Sequence, residues 1–381
     1  MGGKLKMGMV GGGPGSFIGP LHRLGAQLSE RVELVAGVFS RTPERSRAAA
    51  AAFGVNPDRC YPTFEAMFAA ERSAANGIEL VAIAAPNHLH LPIALEALAC
   101  GIHVISDKPA TANLAEALTL REALGKTALI YAVTFSYTGY PMIREARARV
   151  LNGEIGRVRK VNVTYSQGWL SSALERFGNE RAAWRTNPVL SGIGGCISDL
   201  GVHAFNLAEY VTADTVKEIL PDLNNVVPGR ELDDDCNVLL HLSGGAVGVL
   251  SASQVAFGER NALSIQVYGD AGAIHWSFDQ ADALRLVRTN GAAQILSPLS
   301  PDLLVREPVI PGLGNGLTVP FMIQYRDFAR AIDGTAGIID GTLPGIDAAV
   351  RSMCFVERAA RSRGQRSDWI SLDLSDQRTH A

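Results

Sequence analysis

The sequence predicts an α/β protein of two domains: a doubly wound parallel sheet over residues 1–135, then an α+β domain over residues 136–381 with a large, mostly antiparallel sheet. Three observations carry this prediction. A chain of 381 residues, 47% hydrophobic and 19% charged, is long enough for two domains that each bury a core. In its first third, short β-rich runs alternate with alanine-rich helical stretches, and strands separated by helices of that length connect in parallel. Past residue 135 the pattern changes to longer alternating strands with glycine-rich turns, the mark of a sheet with one buried face.

Taken in order, the first domain has strands at residues 6–10, 32–39, 80–84, 103–106 and 129–133. Helical patterns fall between them at 20–29, 43–53, 63–70, 91–99 and 114–124. The second domain opens with a helix at 141–151 that stops at Asn152-Gly153, where glycine suits a left-handed residue. A strand at 157–166 places Val158, Val161 and Val163 among polar neighbours. Strands at 237–242 and 246–253 flank Ser243-Gly244-Gly245, and strands at 263–268 and 273–278 flank Gly269-Asp270-Ala271-Gly272, two hairpin signals. Segments 322–331 and 345–362 are helical by pattern and pack on the sheet or reach back to the first domain.

Composition excludes several function classes. The formal net charge is -3 and the basic residues are scattered, which argues against nucleic acid or an anionic membrane as a partner. Five cysteines without a CxxC pair outline neither a disulfide framework nor a zinc site and fit a reducing cytoplasm. The N-terminal apolar run meets glycines at once and leaves no signal-peptide core, and Lys6 stands where Met1-Gly2 myristoylation would need Ser or Thr. No apolar stretch reaches the ~18 residues of a membrane span. His88 and His90 lack carboxylate or cysteine partners at a metal-site spacing, so no metal is expected. Asp233-Asp234-Asp235 reads as a solvated loop before a strand.

Directly after the first strand stands Gly11-Gly12-Gly13-Pro14-Gly15-Ser16-Phe17-Ile18-Gly19. A turn without Cβ atoms lets the backbone approach a pyrophosphate, and the N–H groups opening the next helix supply donors at a positive dipole end. This makes the first domain a dinucleotide-binding (Rossmann) candidate, with Gly11, Gly13, Gly15, Ser16, Phe17 and Ile18 at the cofactor. Counted from Gly11, Ser16 occupies the third glycine position of GxGxxG. The second strand ends at Phe39-Ser40-Arg41-Thr42 without the acidic residue that NAD enzymes place on the ribose 2'-hydroxyl. Ser40, Arg41 and Arg45 suit a 2'-phosphate, so the cofactor is NAD or NADP with a lean to NADP; Arg41 stacked on adenine or left in solvent is the alternative.

Two further segments carry chemistry. His103-Val104-Ile105-Ser106-Asp107-Lys108-Pro109 ends a buried strand with a lysine that the following proline holds extended, aimed at the crevice where such folds bind ligands. That lysine can stabilise a developing alkoxide, or it is a solvated charge. In Gly192-Ile193-Gly194-Gly195-Cys196-Ile197-Ser198-Asp199-Leu200-Gly201-Val202-His203, Asp199 and His203 are four apart and share a helix face. A carboxylate beside an imidazole orients a general base; the alternative is a helix cap followed by a core histidine.

Together these segments resemble the Gfo/Idh/MocA family of sugar and cyclitol dehydrogenases, over nearly the whole chain. Ala85-Pro86-Asn87-His88-Leu89-His90 resembles the family's TPNxxH strand end beside the nicotinamide. Ala99-Cys100-Gly101-Ile102-His103-Val104 with Asp107-Lys108-Pro109 resembles AGKHVxxEKP, with Asp107 in place of the usual Glu. Trp184-Arg185, Asp199-Leu200-Gly201-Val202-His203 and Gly153-Glu154-Ile155-Gly156 resemble its WR, DxGxH and GxIG elements. The resemblance implies that Lys108, Asp199 and His203 act on a substrate hydroxyl, and that Pro86, Asn87, His90, Asp107, Lys108 and Arg185 serve the cofactor. The second domain is read as the substrate and oligomer domain; its sheet's more polar, exposed-looking face suggests a homodimer or homotetramer through that sheet and leaves the exact state open. The stretch Phe135-Ser136-Tyr137-Thr138-Gly139-Tyr140-Pro141 departs from the family's Arg-Phe or Arg-Tyr pair. Tyr137, Tyr140 and Trp169 are candidates to line a sugar pocket, with core or interface packing as the alternative.

The expected activity is NAD(P)-dependent oxidation of a secondary hydroxyl of a sugar, glycoside or inositol, or reduction of the ketone. A glycoside hydrolase that uses bound NAD for transient oxidation is the alternative. A cofactor-binding regulator is less favoured, because such relatives usually lose the lysine or the DxGxH element and both are intact here.

Overall fold

The computed structural model describes residues 3–13, 15–289, 291–307, 316–335, 341–363 and 368–375. Pro14 of the glycine-rich turn and Met1-Gly2 lie outside the described residues. In chain order the elements begin with β1 (Leu5–Gly11), α1 (Ile18–Leu28), β2 (Val32–Val38), α2 (Pro43–Phe53), α3 (Phe64–Arg72), β3 (Leu80–Ala84), α4 (His90–Ala99), β4 (His103–Ser106), α5 (Leu114–Leu124) and β5 (Tyr131–Val133). They continue with α6 (Pro141–Leu151), β6 (Val158–Ser166), α7 (Glu180–Thr186), α8 (Pro188–Ser191), α9 (Val202–Thr212), β7 (Val216–Asn224), β8 (Asp235–Leu242), β9 (Val247–Ser253), β10 (Ala262–Gly269) and β11 (Gly272–Ser277). The last are β12 (Leu284–Arg288), β13 (Ala293–Leu296), α10 (Thr318–Ile332), α11 (Ile346–Arg361) and β14 (Ile370–Ser371).

The chain forms two compact units, one of Met1–Gly139 with Gly316–Val350 and one of Tyr140–Asn315 with Arg351–Ala381. In the first, five strands in the order β2-β1-β3-β4-β5 pair in parallel. The middle strand β3 is apolar throughout, as a strand covered on both faces requires. Met7, Met9, Leu80, Ala82, Ile105 and Ala132 meet Phe321, Tyr325, Phe328 and Ala329 of α10 in one buried cluster. Gly25 lets α10 approach α1, since a Cβ there would stand 2.7 Å from that of Phe321.

The compact units follow a different division from the one expected at residue 135. The first unit runs to Gly139 and takes back residues 316–350. A helical period reveals an apolar stripe but not the sheet it will cover, which is why the sequence left both destinations open.

In the second unit nine strands run in the order β13-β12-β11-β10-β6-β9-β8-β7-β14. Neighbours are antiparallel except β6 and β9, which pair in parallel. Burial alternates along β6 and β8, so one face is covered and the other faces outward. The nearly wholly buried α9 covers the inner face, and Phe205 on it stacks on Phe355 of α11 with centroids 4.3 Å apart. The strands β7, β12, β13 and β14 and the helices α7 and α8 lie where no element was predicted.

Candidate active site

The glycine-rich turn is squeezed between the ends of two strands. A Cβ on Gly13 would stand 2.2 Å from the carbonyl oxygen of Phe39, and one on Gly19 would stand 2.0 Å from that of Gly12. Both distances are far inside contact, so only bare backbone passes. The tight helix-to-strand approach that the third glycine of a dinucleotide fingerprint provides is thus made by Gly19 rather than at position 16. Ser16 has another task, since its Oγ accepts the Gly19 N–H at 3.2 Å in the opening turn of α1. Gly15 has no atom near its Cβ direction, and the Phe17 ring is 72% exposed. A bare-backbone turn that opens onto a helix N-terminus fits a pyrophosphate. At the end of β2, Ser40 Oγ accepts the Thr42 N–H at 3.1 Å, while exposed Arg41 and Arg45 make no ion pair among the described residues.

The edge of this unit past β3 and β4 carries the other cofactor candidates. Pro86 and Asn87 follow the strand end and open a single helical turn. Asp107 donates its N–H to Ile83 O at 2.8 Å, and its Oδ1 accepts from Thr134 Oγ1 at 3.1 Å. Half-buried Lys108 follows, joined to Pro109 by a cis peptide bond. His90 is not available to a ligand as the sequence implied. It is 1% exposed, with Nδ1 2.7 Å from Pro109 O and Nε2 2.8 Å from Ala85 O. Behind this edge, His22 on α1 packs fully buried against the Tyr325 hydroxyl at 2.8 Å. Burial lowers its pKa from 6.5 to about 4, against the pull of Asp107.

The second unit holds Asp199 and His203. Residues Ile197–Gly201 form one π-helical turn that leads into α9, a widened turn common at functional sites. The turn is fixed by Asp233, whose carboxylate accepts the Gly195 and Ile197 N–H groups, each at 2.7 Å, while its carbonyl accepts that of Cys196. The predicted solvated acidic loop is therefore overturned at Asp233 and Asp234, each 2% exposed. Backbone N–H groups of buried turns need acceptors, and these carboxylates supply them. Asp234 does so for Val226 and Val227 and also pairs with Arg230. Burial pushes the Asp233 carboxyl up, against the opposing pull of its two backbone donors.

Asp199 is held on both oxygens, by Arg185 Nη1 at 2.9 Å and by Gln254 Nε2 at 3.0 Å. Arg185, expected at the cofactor, is thus committed to Asp199 and lies 4.6 Å above the Trp184 ring. Four residues on, buried His203 meets Tyr165 edge to face with centroids 6.1 Å apart. The Tyr165 hydroxyl donates to Asn261 Oδ1 at 2.6 Å. Gln254 and Tyr165 were missed although a signal existed. Each continues the inward, period-two register of its strand, and a polar group at an inward position marks a built site.

The aromatic pocket candidates fare unequally. Tyr140 is core, 2% exposed and packed 5.5 Å from Trp276 and 6.0 Å from Phe278. Tyr137 is likewise buried at 4% exposure. Trp169 is half-buried, and one face of its ring is taken by the Arg181 guanidinium at 4.4 Å. No group of three or more His, Cys, Asp or Glu residues that could hold a metal occurs among the described residues.

Two family models match the chain: "Oxidoreductase family, NAD-binding Rossmann fold" over residues 5–135, and "GFO/IDH/MocA C-terminal domain" over residues 143–275. An inositol dehydrogenase homologue from Azotobacter vinelandii, solved with NAD+, is 31% identical, with a TM-score of 0.89 over 97% of each chain. An oxidoreductase from Sinorhizobium meliloti is 36% identical, with a TM-score of 0.85 over 97% of this chain and 99% of that one. A levoglucosan dehydrogenase from Pseudarthrobacter phenanthrenivorans is 26% identical over 97% of this chain and 98% of its own. The glycine-rich turn, the lysine after β4 and the π-turn aspartate with its histidine therefore belong to an oxidoreductase of the GFO/IDH/MocA family.

Proposed function

We propose that the protein oxidises a secondary hydroxyl of a sugar, glycoside or inositol, or reduces the matching ketone, with NAD or NADP and with Lys108, Asp199 and His203 as the acid–base group. The observation that carries this reading is Asp199, fixed on both oxygens by Arg185 and Gln254 one turn before His203. A carboxylate anchored on both oxygens keeps one orientation, and so can orient a base or a ring hydroxyl without rearrangement. His203 or Lys108 takes the hydroxyl proton, and the Lys108 ammonium stabilises the alkoxide that forms. The dinucleotide, when bound, supplies the hydride acceptor for the carbon.

The substrate class draws support from relatives. The Azotobacter vinelandii homologue has also been solved with NADH and myo-inositol, at 30% identity to this chain, and another relative is the levoglucosan dehydrogenase. The hydrolase alternative draws none from them. Arg41 and Arg45 support NADP beside the NAD(H) seen in the homologue, and Trp169 remains the aromatic candidate for the sugar. Leu239, Val247 and Tyr268, exposed on the outward face of the second sheet, support self-association into a dimer or tetramer. No described helix is long and apolar enough to cross a membrane, and the free cysteines support a cytoplasmic site of action.

The test is a screen of inositols, aldoses and glucosides with each dinucleotide, read as absorbance of reduced nicotinamide. Lys108→Ala and His203→Ala should each lower turnover at least a hundredfold, as loss of a general acid–base group does, and leave dinucleotide affinity nearly intact. Wild-type rates in either variant would remove the assignment.

A further inference from the structure

We propose that His90 is a positioning residue for Lys108. Its ring donates from both nitrogens at once and ties the loop at Ala85-Pro86-Asn87 to the segment that carries the lysine. The proposal rests on the function proposed above and adds a residue that acts through others.

The geometry is specific. The ring, at the first position of α4, is 1% exposed. Nε2 lies 2.8 Å from the carbonyl oxygen of Ala85 and Nδ1 lies 2.7 Å from that of Pro109. A carbonyl oxygen only accepts, so each nitrogen must present a hydrogen, whereas a neutral imidazole carries one. The ring that satisfies both contacts is the doubly protonated one. The Ser106 hydroxyl is no competing donor, since it stands 3.5 Å from Nδ1 and donates to Asp107 O at 3.1 Å. The charged and titratable groups nearby are the Asp107 carboxylate, the Lys108 ammonium and the buried His22 ring, on which Asp107 and His90 both act electrostatically.

The mechanical consequence concerns Lys108. Asp107 is tied to the end of β3 through its N–H on Ile83 O at 2.8 Å, and Pro109 is tied to the next loop through His90. The backbone at Lys108 is thus pinned on both sides, by the end of β3 and by the first residue of α4, the two elements that flank the loop of Pro86 and Asn87. A long flexible side chain reaches a fixed point reproducibly only from a fixed origin. Without the clamp the lysine loses that origin, while the glycine-rich turn keeps its own supports.

Two measurements decide the matter. In protein with 15N-labelled histidine rings, free of substrate and dinucleotide, the resonances absent from His90→Gln should show hydrogens on both ring nitrogens at neutral pH. A single protonated nitrogen overturns the clamp, and this readout is indifferent to whether the proposed reaction is right. With a substrate in hand, His90→Gln and His90→Phe should lower kcat about tenfold or more while the NADH Kd stays within about threefold. An unchanged kcat, or a loss confined to NADH affinity, overturns the positioning role; should neither variant fold, the wild-type ring resonances, assigned through their contacts with Ala85 and Pro109, still decide the clamp.

Discussion

Asp233 lies far in sequence from the residues it serves, and its two short bonds to Gly195 and Ile197 N–H hold the turn that carries Asp199. In Asp233→Ala both N–H groups lose their acceptor inside the protein, at about 1–3 kcal/mol each. Urea unfolding should show a loss of about 2–5 kcal/mol, and turnover should fall because Asp199 is no longer held in register with Arg185 and Gln254. Asp233→Asn keeps one acceptor and should fall between the two. Equal stability of Asp233→Ala and wild type would show that the turn stands by itself. His22 gives the pH dependence. Its pKa is lowered in the folded state to about 4 from 6.5, so the unfolded chain binds the proton more readily. Its contribution to stability is complete above pH 6.5 and is lost as pH falls toward 4. Between pH 7 and pH 5 this amounts to about 2 kcal/mol. Urea midpoints at the two pH values should therefore fall further in wild type than in His22→Gln; equal falls would place the acid sensitivity elsewhere.

Among the elements, what was legible follows from how local each determinant is. The strands β3 and β4 and the helices α2, α5 and α6 fall on the predicted residues, because a short β-rich run, or a helix opened by proline or a capping asparagine and followed by glycine, carries its own boundaries. The π-helical turn was not legible. Its sequence reads as an ordinary helix start, and what shapes it is an acceptor 38 residues downstream. The glycine-rich turn was legible as a phosphate cradle but not in its register, because which glycine meets another strand depends on the path of the backbone. That register is testable. Gly15→Ala adds a Cβ into open space at a positive φ of 85°, a backbone strain of about 1–2 kcal/mol. Gly19→Ala places its Cβ 2.0 Å from a backbone carbonyl, so α1 must shift. Thermal melts and NADH titrations should show Gly19→Ala as the more damaging change in both stability and affinity; a reversed order would restore the count that starts at Gly11.

At the scale of the whole molecule, sequence order and packing order part company. Residues 140–315 intervene between two pieces of the first unit, and no composition shift or linker marks the return. The core shows the return physically. Phe321, Tyr325 and Phe328 are fully buried among the residues of β1, β3, β4 and β5, at roughly 2 kcal/mol for each ring removed from water. Pro344 O accepts the Val133 N–H at 2.9 Å at the end of the parallel sheet. Three such rings together, about 6 kcal/mol, reach the lower end of the net stability of a domain, about 5–15 kcal/mol. A fragment ending at Gly139, though it contains every strand of the parallel sheet and the entire glycine-rich turn, should not melt cooperatively. It would leave the surface of α1 around Gly25 and the apolar faces of Met7, Met9 and Leu80 uncovered. Joining Gly316–Val350 to it through a flexible linker should restore both a cooperative melt and NADH binding. Cooperative melting and full NADH affinity in the shorter fragment would show that α10 only decorates a sheet already stable without it.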